Sequence, residues 1–205
     1  MFTNGDREVA RRSGAGGYSR CRATAVESLR LALLATLLAA ASAIAAGPGL
    51  PDEVPAEQLK AAFVYHFAKF TQWPAAAPPT PKILLCRWGD HPMAPYLDAL
   101  AGRTAGDTPL EIRAVASLDE VTDCRILFVG ADHGSSLAGV LAAARDLPVL
   151  TIADRPGFAA DGGMIELYEA EARVRFAINI EAVLRAGLRI DPHVLKLARI
   201  VEAPP

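Results

Sequence analysis

Aromatic side chains are scarce in this chain, with seven Phe, four Tyr and two Trp in 205 residues. Their placement is therefore informative, and five of them crowd into positions 63 to 73. Cysteine is scarcer still. Of three residues, only Cys86 and Cys124 lie beyond the N-terminal apolar run, which leaves material for one disulfide and little for a zinc site. Excess basic charge is missing too: 21 Lys and Arg face 23 Asp and Glu. That balance argues against a nucleic-acid or anionic-membrane binder. There is no Gly-x-Ser-x-Gly elbow and no phosphate-binding glycine loop. The four histidines, His66, His91, His133 and His193, are not paired at metal-ligand spacing. No motif supports catalysis, a metal or a cofactor.

The N-terminus is built differently from the rest. Residues 1–30 carry six arginines against three acids, and the uncharged run LALLATLLAAASAIAA follows over 31–46. A basic lead, an apolar run and small residues at its end describe a cleaved export signal. A membrane anchor is the competing reading, but the run is shorter than the roughly 20 residues a spanning helix needs. Cys21 precedes the run, so it is not a lipid-bearing cysteine. The lead is long for a signal, which suggests translation starting near Val26. Removing 1–46 leaves 15 basic and 20 acidic residues, from 21 − 6 and 23 − 3. No second run beyond it is long enough to span a bilayer.

The expected organisation is a signal at 1–46, a Pro/Gly-rich leader at 47–56 and one domain at 57–205. Within the domain, KILLCRW (82–88), CRILFVG (124–130) and LPVLTIAD (147–154) are short apolar runs bounded by turn residues, the pattern of buried strands. LEIRAVAS alternates like a half-exposed strand. Helical stretches fall between them, which predicts a mostly parallel sheet with helices on both faces. GGMIELYEAEARVRFAINI then predicts an antiparallel hairpin, followed by helices near 180–187 and 192–200 with Gly187 as a cap. The fold class is therefore α/β, a single domain with a mixed, mostly parallel sheet and a C-terminal hairpin.

An even pair of cysteines in an exported chain suggests a Cys86–Cys124 disulfide, with two buried thiols as the alternative. The strand order strains that reading. Cys86 falls late in one strand and Cys124 at the start of another, although a bridge needs Cα atoms within about 7 Å.

On the opening helix, Leu59, Phe63, His66, Phe67 and Phe70 fall within about 100° of arc. That predicts a core-facing stripe. Tyr65 stands on the opposite, polar side, where core packing does not explain it. Asp132, His133, Ser135 and Ser136 follow a buried strand and open a helix, the place where α/β proteins bind small ligands. A simple helix cap by Ser135 or Ser136 is the plainer alternative. On the last hairpin strand, Arg173, Arg175 and Asn179 share one face, and with Lys196 and Tyr65 they are candidate partner contacts. A solvated sheet face is the bland alternative.

KAAFVYHFAKFTQWP resembles the opening stretch of the YfiR-like family of periplasmic proteins. The segment from Gly162 to Val201 resembles that family's closing segment, with Arg-x-Phe-x-Ile-Asn, Ala-Gly-Leu and Leu-x-Leu-Ala in order. Cys86, Cys124 and VLTIADRPGFAADGG also fit its layout. Two departures stand out: His66 where the family commonly has Asn, and Ala177 where it commonly has Glu. The resemblance implies a non-catalytic periplasmic regulator that represses an inner-membrane diguanylate cyclase. It further implies titration by an outer-membrane lipoprotein, and a homodimer. A periplasmic small-ligand binder feeding another membrane sensor, such as a histidine kinase, is the alternative; an exported hydrolase is a distant third.

Overall fold

Three of the apolar runs pair side by side, and their sequences show why. Ile83–Trp88 (β2), Ile126–Val129 (β5) and Leu150–Ala153 (β6) are almost wholly buried, as expected for parallel strands covered on both faces. The computed structural model describes residues 54–75, 80–130 and 136–202. The proposed signal, most of the leader and Asp132–Ser135 lie outside the described residues.

In chain order the elements are α1 (Ala56–Phe70), β1 (Thr71–Gln72), β2, α2 (Ala94–Asp98), β3 (Thr104–Ala105), β4 (Thr108–Val115), a 3-10 turn (Leu118–Asp123) and β5. Then come α3 (Leu137–Ala144), β6, β7 (Ile165–Ala170), β8 (Arg173–Asn179), α4 (Ile180–Arg185), β9 (Arg189–Ile190), α5 (Pro192–Leu195) and β10 (Arg199–Val201). Eight strands make one sheet in the order β10-β8-β7-β6-β5-β2-β4-β3, while β1 and β9 form a small antiparallel pair. Neighbours from β4 to β7 run parallel, and β7 and β8 form the expected antiparallel hairpin.

Alternation along the strands sorts the core into two layers. Leu85, Phe128 and Ile152 face α1, joining Phe67, Phe176 and Ile178. Cys86, Trp88, Leu127 and Val129 face the other way, under α3 and the 3-10 turn. Helices therefore cover both faces, as the strand–helix alternation predicts. Gly187 takes φ 71° just after α4, the left-handed cap expected of it.

The cysteines are bridged, with Cα atoms 5.8 Å apart. The geometric conflict disappears because Cys124 is not in a strand. It caps the 3-10 turn, two residues before β5 begins. The turn packs on the face where Cys86 points, so the bridge stands up from the sheet face instead of running between strands.

Two other expectations change. The buried side of α1 is Lys60, Ala61, Val64, Phe67 and Ala68, rotated from the predicted stripe. Leu59 is 43% and Phe70 40% exposed, and His66 is exposed and stacked on Phe70. Hydrophobic periodicity ranked an aromatic line above one centred on a lysine, but Lys60 finds two carboxylate partners on distant strands. The helix expected at 192–200 ends at Leu195, and Arg199–Val201 is a strand. There the β-branched Ile200 and Val201 take the open edge of β8.

Candidate partner-binding surface and strand-end cluster

The hairpin and the chain beyond it carry most of the predicted contact residues. Arg173, Arg175 and Lys196 are exposed, and Arg175 makes a surface pair with Glu171, 3.3 Å away. Asn179 does not belong with them. It is 1% exposed, donates through Nδ2 to the Ala159 carbonyl at 2.9 Å, and accepts at Oδ1 from Ala182 N–H. Asn179 is thus the N-cap of α4 and an anchor for the β6–β7 loop. Alternation along β8 ends its polar face where the strand dips under that loop.

Tyr65 has an internal explanation. Its hydroxyl donates to the Thr104 carbonyl at 2.7 Å, and its ring lies under Arg103 and Lys69, 5.3 and 5.6 Å away. It fastens α1 to β3 at the far edge of the sheet, well away from the hairpin. Structure therefore does not unite Tyr65 with Arg173, Arg175 and Lys196. Of the candidate ligand residues, Ser136 is described. Its Oγ accepts from Gly139 N–H at 3.2 Å, the cap that was the plainer reading.

The strands' carboxyl ends hold a cluster the sequence did not reveal. Lys60, buried on α1, places Nζ 2.8 Å from Asp154 Oδ2 and 2.7 Å from Glu169 Oε1. Asp154 follows β6 and Glu169 is the penultimate residue of β7, so one ammonium ties the helix to two strands. Burial alone would lower its pKa, but the hydrogen bonds to Asp154 and Glu169 outweigh burial and hold it above its ordinary value. His91, after β2, meets Asp154 at 3.7 Å through Nε2. It accepts from Met93 N–H at Nδ1 and packs edge-on against Phe128. Burial pushes its pKa down, and the Asp154 carboxylate does not recover the loss. The imidazole is thus set as a neutral acceptor at the start of α2. The partners of Lys60 are separated widely in sequence, 94 residues in the case of Asp154, so no local pattern points to them.

A third feature lies beyond α4. Gln72, Val183, Leu184, Leu188, Ile190 and Leu195 contribute to an apolar groove of about 330 Å³. Leu184 on its rim is 63% exposed. Among the described residues, no helix is long and apolar enough to cross a membrane.

A profile of proteins described as YfiR/HmsC-like matches residues 57–199. The match takes in α1, the bridged cysteines, the hairpin and the start of β10. The chain belongs to the YfiR/HmsC-like family. Members of this family are periplasmic regulators of diguanylate cyclases, regulatory and not catalytic, and they work through a membrane-bound sensor or cyclase. Among solved structures, the chain is similar to the ABC domain in complex with L-Trp from Streptococcus pneumonia, at 12% identity and TM-score 0.41. That similarity covers 58% of this chain and 56% of the other. It is also similar to a conserved domain protein from Vibrio cholerae O1 biovar eltor, at 13% identity and TM-score 0.45, over 72% and 60% of the two chains. The chain thus spans less than two thirds of either structure.

Proposed function

We propose that this protein is a non-catalytic repressor that holds an inner-membrane diguanylate cyclase inactive by binding its periplasmic sensor domain. The observation that carries the reading is the family match over residues 57–199, which includes both the opening helix and the hairpin with its exposed arginines. Repression requires that the protein bind the inactive form of its target more tightly than the active one, because equal affinity shifts nothing. Export by a cleaved signal at 1–46, a functional unit at 57–205, a homodimer and titration by an outer-membrane lipoprotein complete the proposal. The contact face is assigned to Arg173, Arg175 and Lys196, without Asn179, which is buried, and without Tyr65, whose hydroxyl is bonded to Thr104 at the opposite edge of the sheet.

Deleting the gene is the test. Cyclic di-GMP should rise, and the rise should vanish when the partner cyclase is deleted as well. An unchanged level in the single deletion overturns repression. A small-ligand binder is the second reading, at the strand end Asp132 to Ser136 or in the groove beside α4, whose volume of about 330 Å³ lies within the range of small-molecule sites. Thermal-shift screening against amino acids and cofactors tests it, and the absence of any stabilising compound removes it.

A further inference from the structure

Residues 191–202 contain no buried side chain. Leu197 is 75% and Ile200 49% exposed. Within this stretch β10 nevertheless closes the outer edge of β8 through three parallel pairs, Arg199 with Ala177, Ile200 with Ile178 and Val201 with Asn179. The strand beneath is of another kind, for Phe176 through Asn179 are all buried. A deeply packed strand is thus closed by one that adds little burial of its own. Ladder pairing, not core packing, holds β10 in place.

Two side chains of β10 have defined tasks. Ile200 stands beside Ile178 on the α1 face of the sheet. Arg199 lies 3.5 Å from Oε1 of Glu166, a carboxylate with a 7% exposed side chain, and its guanidinium sits 5.2 Å from the Tyr168 ring. The other carboxylate oxygen accepts from Ala159 N–H at 3.2 Å. A contact of 3.5 Å is at the long limit of a hydrogen bond, and the Arg199 side chain is 55% exposed. The buried acid is therefore matched by a loosely held cation.

We propose that β10 is a displaceable strap, and that the β8 edge beneath it docks an extended strand of a protein partner. The incoming strand would carry a cation facing Glu166 and an aliphatic side chain beside Ile178. It would replace the backbone pairing that β10 gives up, in the manner of strand addition to a sheet edge. Its cation is selected by charge, since a buried carboxylate without one is costly. While the strap is down, partner affinity falls by the fraction of molecules in which the edge is open. This deepens the reading of the chain as a partner-binding regulator and rests on it.

The test uses the full chain and a synthetic peptide of residues 196–202 as the incoming strand, with no cyclase present. It can therefore fail independently of the proposed function. Arg199→Glu in the protein weakens its own strap and should raise affinity for the wild-type peptide at least about tenfold. The same substitution in the peptide should abolish binding. Ile200→Asp in the protein should act in the same direction through the other contact. In the unmodified protein, the β10 amides should exchange at least about tenfold faster than those pairing β7 with β8. Equal protection of β10 and β8 overturns the strap, and so does peptide affinity unchanged by both protein variants. Protection of β10 that rises with protein concentration would mark exchange between two copies and overturn the assignment to a foreign strand.

Discussion

Arg199 and Glu166 meet across an intervening strand, over the methyl group of Ala177, which stands in register with both. In-register side chains on adjacent strands share a face, so the small residue on β8 is what lets β10 and β7 communicate. Ala177→Glu would place a second carboxylate beside Glu166 at a position with no solvent exposure. The variant should lose about 1–3 kcal/mol at pH 7. A carboxyl whose folded pKa is raised binds its proton in the native state, so the loss should shrink as pH falls toward 5. Urea denaturation at the two pH values measures both effects.

Lys60→Met isolates the ammonium that ties α1 to β6 and β7. It should destabilise by about 2–3 kcal/mol, a buried-pair loss trimmed by the open position of Glu169, whose side chain is 52% exposed. The raised pKa of Lys60 adds a signature in pH. Its contribution is full below the ordinary value near 10.5 and fades as pH rises through the higher folded value. Wild-type protein should therefore lose stability above about pH 10.5, and the variant should lose less there.

His91 acts at the other end of the scale. Its folded pKa lies below the unfolded value near 6.5, so the unfolded chain binds the proton first. Stability should fall as pH drops from about 6.5 through the folded value. Protonation would also turn Nδ1 into a donor facing Met93 N–H. His91→Asn can keep an acceptor there, and the stability curve of this variant should be flatter across the window.

The hairpin turn offers the opposite kind of change. Glu171 and Ala172 both have positive φ, 53° and 55°, the backbone of a type I′ turn that favours Asn-Gly. Replacing the pair with Asn-Gly should stabilise by roughly 1–2 kcal/mol. The surface pair of Glu171 with Arg175 is worth little by comparison. Thermal melts decide it, and a lower melting temperature would contradict the turn geometry.

The disulfide closes a separation of 38 residues, and chain entropy gives it about 4 kcal/mol. Cys86→Ser with Cys124→Ser should lower the melting temperature by roughly 10 °C, measured beside the oxidised wild type.

How far the sequence could be read depended on whether a feature was local. The buried strands, the hairpin and the Gly187 cap declare themselves within a few residues, by apolar runs or turn chemistry. The bridge was legible as a pair of cysteines, though not its position above the sheet, because Cys124 looks like the first residue of its strand. Periodicity misjudged α1, since Lys60 is buried only by virtue of acids on distant strands. Asn179 alternates with the arginines of β8 and so looked solvent-facing, although its cap and loop contacts bury it. The strand at Arg199–Val201 was hidden because the helix formers Leu195 to Ala198 lead straight into it, and the edge that Ile200 and Val201 join belongs to a distant strand.

The helix α1 leaves the ribosome early, yet its anchors come late. Lys60 must wait for Asp154 and Glu169, and Phe63 for Phe176. Contacts so distant along the chain slow folding. The first helix is consequently among the last parts to be secured, and until the hairpin has been made it lacks both the acid that Glu169 supplies to Lys60 and the ring that Phe176 sets against Phe63.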